Sequence, residues 1–323
     1  MQVAAVALAV AVVAQLACAP DSSAPASTPP PPQGADRELP PDPWTPANAD
    51  LLFVSNRDGN DEIYLRAGGV DAWQNLTAHP AQDNWPEWSP DGTRIAFQSN
   101  RTGNLDIWVM NADGSGLVQL TDDPADDYLP TWSPDGTRLS FASWRQEPGD
   151  GTEPAVHHYV MHADGSTQSR LFAESPGTSA AATWAPDGDS FVLAMQAPGG
   201  QGADVYRVDA EGVVLRRFTE DEPADGSPVF SPDGSAIAFH ADRGETSALV
   251  LLDADGTHRR TLLADGQQWF PRWSPDGQWL VYTGVGPAGG ADLDVMAVPV
   301  DGAGDPVVLA GGPSRETDGR WRP

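Results

Sequence analysis

A five-residue phrase recurs along this chain and fixes what the chain can fold into. Trp88-Ser89-Pro90-Asp91-Gly92 returns as Trp132-Ser133-Pro134-Asp135-Gly136, then as Trp184-Ala185-Pro186-Asp187-Gly188. Two further copies open at Phe230 and Trp273, and Trp321-Arg322-Pro323 opens like a sixth. The spacings are 44, 52, 46, 43 and 48 residues. A period of this length with strand-like content marks propeller blades or a related array.

Within a unit, a short apolar run follows each Asp-Gly, such as Arg94 to Ser99. A loop and a second run, Asp106 to Met110, come next. The turn Asn111-Ala112-Asp113-Gly114 supplies the positive φ that two-residue hairpins need. A last strand ends at Thr121. With the strand that carries the Trp, each unit has four antiparallel strands. Leu51 to Arg57 matches Ile95 to Arg101, so the domain opens at the second strand of a blade. The missing first strand falls around Asp318 to Arg322. Pairing it with the N-terminal segment closes a ring and removes two open sheet edges. The expected fold is all-β: six four-stranded blades over 50–323, about 46 residues each.

The consensus P-x-W-S-P-D-G, then S-N-R-x-G-N, then N-A-D-G-S, resembles the six-bladed propeller of the TolB family, whose repeat is called PD40 or WD40-like. That resemblance implies an envelope-associated binding protein. TolB itself has a separate α/β domain before its propeller, where this chain has a Pro-rich segment. The propeller type is also similar to the gating domain of prolyl-oligopeptidase-like enzymes. Those need a G-x-S-x-G elbow, and this sequence has none.

The aromatics Trp88, Trp132, Trp184, Phe230, Trp273 and Trp321 are equivalent and are expected to pack between neighbouring blades. Arg57, Arg101 and Arg243 recur after the second strand and read as structural hydrogen-bonding residues.

Residues 1–18 read as an export signal, with the apolar run Val3 to Ala14 ending at Cys18, the one cysteine. The position resembles a bacterial lipoprotein cleavage site, which implies lipidation at Cys18 and a membrane anchor. Residues 19–49 are rich in Pro, Ser and Ala and read as a tether. The expected location is the periplasm or cell surface. A single cysteine leaves no intrachain disulfide and no Cys₄ zinc site. The formal net charge of −28 argues against a nucleic-acid partner, and it also suits simple solubility in a salty habitat. Every one of the 18 basic residues is arginine.

Strand direction sorts the loops into two faces. The Ser-Pro-Asp-Gly and Asn-Ala-Asp-Gly turns share one face and vary little. The loops entering each Trp strand share the other and vary strongly, as recognition surfaces do. Five residues before each blade aromatic stand Asp83, Asp127, Ser179, Asp225, Gln268 and Glu316, with Trp85, Tyr128, Trp269 and Phe270 nearby. One reading is that these carboxylates satisfy backbone donors at loop ends. The other is an acidic, partly aromatic channel mouth for a basic peptide of an envelope protein, or for a cation. His157, His158 and His162 do not form a metal set on one strand face, and no cofactor is expected. The function so read is a non-catalytic, monomeric binding module. The alternative is a propeller lyase or hydrolase acting on polysaccharide with channel carboxylates.

Overall fold

The computed structural model describes residues 45–323 apart from 71, 147–155, 173–181, 197–201, 221–223, 245, 265 and 286–291. The expected signal segment with Cys18, most of the tether, Ser179 and much of the longest loops lie outside the described residues. Among those described, 24 strands form six four-stranded antiparallel sheets. The ring closes as the repeat implies. Strand β1 (Leu51–Ser55) pairs with β2 (Glu62–Arg66) on one side and with β24 (Glu316–Trp321) on the other. Blade 1 is therefore a composite of both ends of the described chain. Thr45 to Ala49 already pack on the ring: Ala49 is buried in its core, and Arg66 donates to the Pro46 carbonyl at 2.6 Å.

Core and ring are the same thing here, because each apolar cluster lies between two blades. Leu52 and Ile63 of blade 1 pack with Trp88, Ile95 and Phe97 of blade 2. Val281 and Val295 of blade 6 pack with Phe53 and Trp321 of blade 1. The blade aromatics sit in these seams, as expected. Trp132 Nε1 donates to the Glu87 carbonyl one blade back at 3.2 Å, and Trp273 Nε1 reaches the Val229 carbonyl the same way. Arg94 and Arg138 each lay a guanidinium over the Trp of the next blade, 4.6 Å from the ring centre.

The Ser-Pro-Asp-Gly turns form a second ring of contacts. Ser89 Oγ donates to Asp91 Oδ1 at 2.6 Å, and that carboxylate accepts the Thr93 amide. Gly92 takes φ +64°, which a side chain would resist. The Pro of each turn lies beside the Gly of the next, as Pro90 does beside Gly136. At the closing seam Arg322 replaces that Pro, and its Nε donates to the Gly92 carbonyl at 3.0 Å.

Candidate functional site

Among the described residues, five of the six innermost strands carry one irregularity that decides what faces the channel. In blade 2, Asp83 pairs with Ser99 and Asn84 with Gln98, but Glu87 pairs with Ala96. Two residues, Trp85 and Pro86, thus oppose one, which is a β-bulge. Trp85 takes φ +55°, and the equivalent Leu129, Ser227, Phe270 and Asp318 take +49° to +57°. The bulge amide is held from the second strand of the preceding blade: Leu129 N donates to Gln98 Oε1, and Asp318 N to Thr283 Oγ1.

The bulge overturns the expected acidic mouth. Cross-strand partners point to the same face of a sheet. Asp83, opposite Ser99, therefore shares the face of Trp88, opposite Ile95, and not the face of Glu87. Without the extra residue, the position five before the aromatic would match the position one before it. Asp83, Asp127, Asp225 and Glu316 are accordingly buried inside the blades. Arg101 Nη2 donates to both oxygens of Asp83 at 2.9 and 3.0 Å. Arg145 pairs with Asp127, and Arg57 with Glu316 at 2.7 Å. In blades 1 and 2 the same arginine also donates its Nε to a serine at the end of the second strand, Ser55 or Ser99, and in blade 3 the Arg145 amide bonds Ser143. The arginine lies over an aromatic of its own blade's outer half as well: Arg57 over Trp73, Arg101 over Trp108 and Arg145 over Tyr159. Burial pushes the Asp83, Asp127 and Glu316 carboxyls above their ordinary range, while the serine and arginine partners pull them back.

The expected structural role of Arg57 and Arg101 fits these contacts, but Arg243 is exposed. In its blade Ala241 stands where blades 1 to 3 have serine, opposite Asp225, and Arg259 approaches Asp225 to 3.9 Å instead. Gln268 is buried at the corresponding position of blade 6.

The channel itself is built from other positions. All six residues immediately before the blade aromatics line it: Glu87, Thr131, Thr183, Val229, Arg272 and Arg320. Toward the loop face, Trp85 and Phe270 line it too, with Leu129 and Ser227. Trp85 and Phe270 meet edge-to-face at 4.8 Å across the blade that carries Asp318. Tyr128 is buried behind them, and Trp269 is half-buried. The space beneath this aromatic pair is about 40 Å³. Toward the turn face the channel widens to about 370 Å³ between the blade aromatics. Arg272 and Arg320 line both halves and mark the waist.

His158 is buried and pushed down to about 4 by loss of water. Among the described residues no three His, Cys, Asp or Glu side chains gather as metal ligands. No helix among them is long and apolar enough to cross a membrane.

With the geometry in hand, kinship can be judged on the whole repeat. The model of the TolB beta propeller domain, PD40, matches residues 44–172 and 153–304. The chain belongs to the TolB β-propeller family. An uncharacterized protein of Agrobacterium fabrum is 33% identical over 120 residues, which is 36% of this chain and 38% of that relative. The match thus spans well under half of the relative's length. TolB of Acinetobacter baumannii superposes with a TM-score of 0.72 at 19% identity, covering 86% of this chain and 68% of that one. Oligogalacturonate lyase of Vibrio parahaemolyticus superposes at 0.57 with 16% identity, covering 83% and 76%. At these identities the two structures share the fold with this chain.

The channel residues could have been found in the sequence. Reading one position before each aromatic, in place of five, yields two arginines and a glutamate among six residues. The signal that redirects the count is Pro at the second position before the aromatic in Pro86, Pro130, Pro228 and Pro271, beside a bulge that Pro tolerates.

Proposed function

We propose that this chain is an exported, non-catalytic binding module of the cell envelope that docks a protein or peptide at the loop-face mouth of its channel. The observation that carries the reading is the Trp85–Phe270 pair. Two bulky residues held at positive φ cost of order 1–3 kcal/mol each, and such strain gathers at ligand contacts. Their rings present a rigid apolar platform with half-buried Trp269 beside it. Because the carboxylates behind it are already paired with arginine, the partner that suits this mouth offers an apolar or aromatic side chain, not a run of basic ones. Family membership supports a binding or scaffold role. Export through residues 1–18, with lipidation at Cys18, would place the module on a membrane.

A photo-crosslinking residue at position 269, in intact cells, tests the reading. A discrete adduct is expected there, absent from the same residue placed at Thr93 on the turn face. The adduct should disappear in the Trp85→Ala, Phe270→Ala double variant. Equal labelling from Thr93, or no adduct at 269, contradicts it. The carbohydrate-enzyme alternative predicts unsaturated or reducing sugars when the protein is incubated with envelope polysaccharide. The binding reading predicts none.

A further inference from the structure

The waist of the channel holds a positive charge that its surroundings leave incompletely answered. Arg320 Nε donates to Glu87 Oε2 at 2.8 Å, and its Nη1 to the Gly319 carbonyl. Arg272, one blade away, donates a single hydrogen bond, from Nη1 to the Pro271 carbonyl at 2.9 Å. No carboxylate of the described residues lies within ion-pairing distance of it. Glu87, already bonded to Arg320, and Asp318 are the acidic groups that act on it, and Asp318 Oδ1 is buried with no hydrogen-bond donor. In a chain of net charge −28, whose other inner arginines are so thoroughly matched, this arrangement stands out. Loss of water and the neighbouring Arg320 push the Arg272 guanidinium down to about 9.

The chamber below supplies the rest of a site. It opens on the turn face between Pro90, Pro232 and Pro275. Its walls include Trp88, Trp132, Phe230 and Trp273. About 370 Å³ is within the ordinary range of small-molecule pockets. Its walls are largely apolar, and its floor is two guanidiniums beside one glutamate.

We infer that this chamber is a binding site for a monocarboxylate on an aromatic or apolar body, whose carboxylate reaches Arg272 at the waist while its body lies among the blade aromatics. A guanidinium presents paired donors that match a carboxylate's two oxygens. A monoanion fits better than a phosphate dianion, because Glu87 and Asp318 stand close by. The source of the carboxylate is either a free aromatic acid or the C-terminus of a peptide that ends in an apolar residue. The site lies on the opposite face from the proposed docking mouth and does not depend on it.

Calorimetric titration of the full-length protein tests the inference. N-acetylphenylalanine should bind, and N-acetylphenylalanine amide and inorganic phosphate should bind at least tenfold more weakly. A tripeptide, acetyl-Ala-Ala-Phe, with free and with amidated C-terminus separates the two sources: tighter binding of the free tripeptide than of the single residue points to a chain end, and weaker binding to a small acid. Arg272→Gln should weaken carboxylate binding at least tenfold, while Arg243→Gln, on an exposed loop, leaves it unchanged. The melting temperature of Arg272→Gln supplies an independent readout. A ligand-binding arginine without a carboxylate partner predicts an unchanged or raised value, and a structural one predicts a fall of several degrees. Such a fall, equal binding of acid and amide, or undiminished binding by Arg272→Gln would overturn the site.

Discussion

Replacing Asp83 by Asn separates a structural carboxylate from a ligand-facing one. Asp83 has 0% exposure, and the Arg101 side chain only 9%. Their two hydrogen bonds, with Ser99 Oγ accepting from Arg101 Nε beside them, tie the innermost strand to the loop after the second. Removing one partner of a buried pair strands the other charge and costs about 3–5 kcal/mol. That is a large part of the roughly 5–15 kcal/mol that holds a domain folded. Asp83→Asn and Arg101→Met should each lose an amount in this range. The double variant Asp83→Leu, Arg101→Met should lose much less than their sum, because no charge is left buried. Urea unfolding followed by tryptophan fluorescence measures all three, and 12 tryptophans give ample signal. Losses under about 1 kcal/mol that add within about 0.5 kcal/mol would refute the reasoning and return Asp83 to the channel mouth.

Other expectations follow from the same contacts. Trp132→Ala removes a seam aromatic, its hydrogen bond to the Glu87 carbonyl and the stacked Arg94, and should cost about 3–5 kcal/mol in the same unfolding assay; a loss near zero contradicts the seam packing. Gly234, at φ +71°, should lose roughly 1–2 kcal/mol on change to Ala, read as a lower denaturant midpoint at constant slope. The turn aspartates Asp91, Asp135 and Asp233 are held down at about 2 by their serine hydroxyls and by backbone amides. A depressed carboxyl contributes stability above its unfolded value, near 4, and loses it as pH falls toward 2. The stability gap between wild type and the Ser89→Ala, Ser133→Ala, Ser231→Ala variant should therefore shrink from pH 4 to pH 2. A gap that does not change with pH counts against these bonds.

The repeat made the architecture legible because each copy carries its own turn chemistry and its own seam aromatic. Even the composite blade could be read, since Leu51 to Arg57 repeats Ile95 to Arg101 without a Trp strand before it. The direction of the side chains was not legible to the same degree. Counting back from Trp88 assumes a strand of strict alternation, and one extra residue at Trp85 reverses the parity for everything before it. Asp83 then turns inward to an arginine from the loop after the next strand, a partner 18 positions away that only the hairpin register brings close. Arg145 does the same for Asp127, although its loop is not spelled like the Ser-Asn-Arg of Arg57 and Arg101. Arg272 and Arg320 escaped notice because neither belongs to the repeat: Thr131, Thr183 and Val229 occupy the same place in other blades.

Hydrogen exchange by mass spectrometry probes the closed ring most directly, since the identity of both channel faces depends on that closure. Peptides covering Glu316–Trp321 should be protected as strongly as those covering Arg94–Ser99, a second strand inside an uninterrupted blade. If the C-terminal peptides instead exchange within seconds, like an unpaired segment, then β24 does not zip onto β1 and the channel described above does not exist in that form.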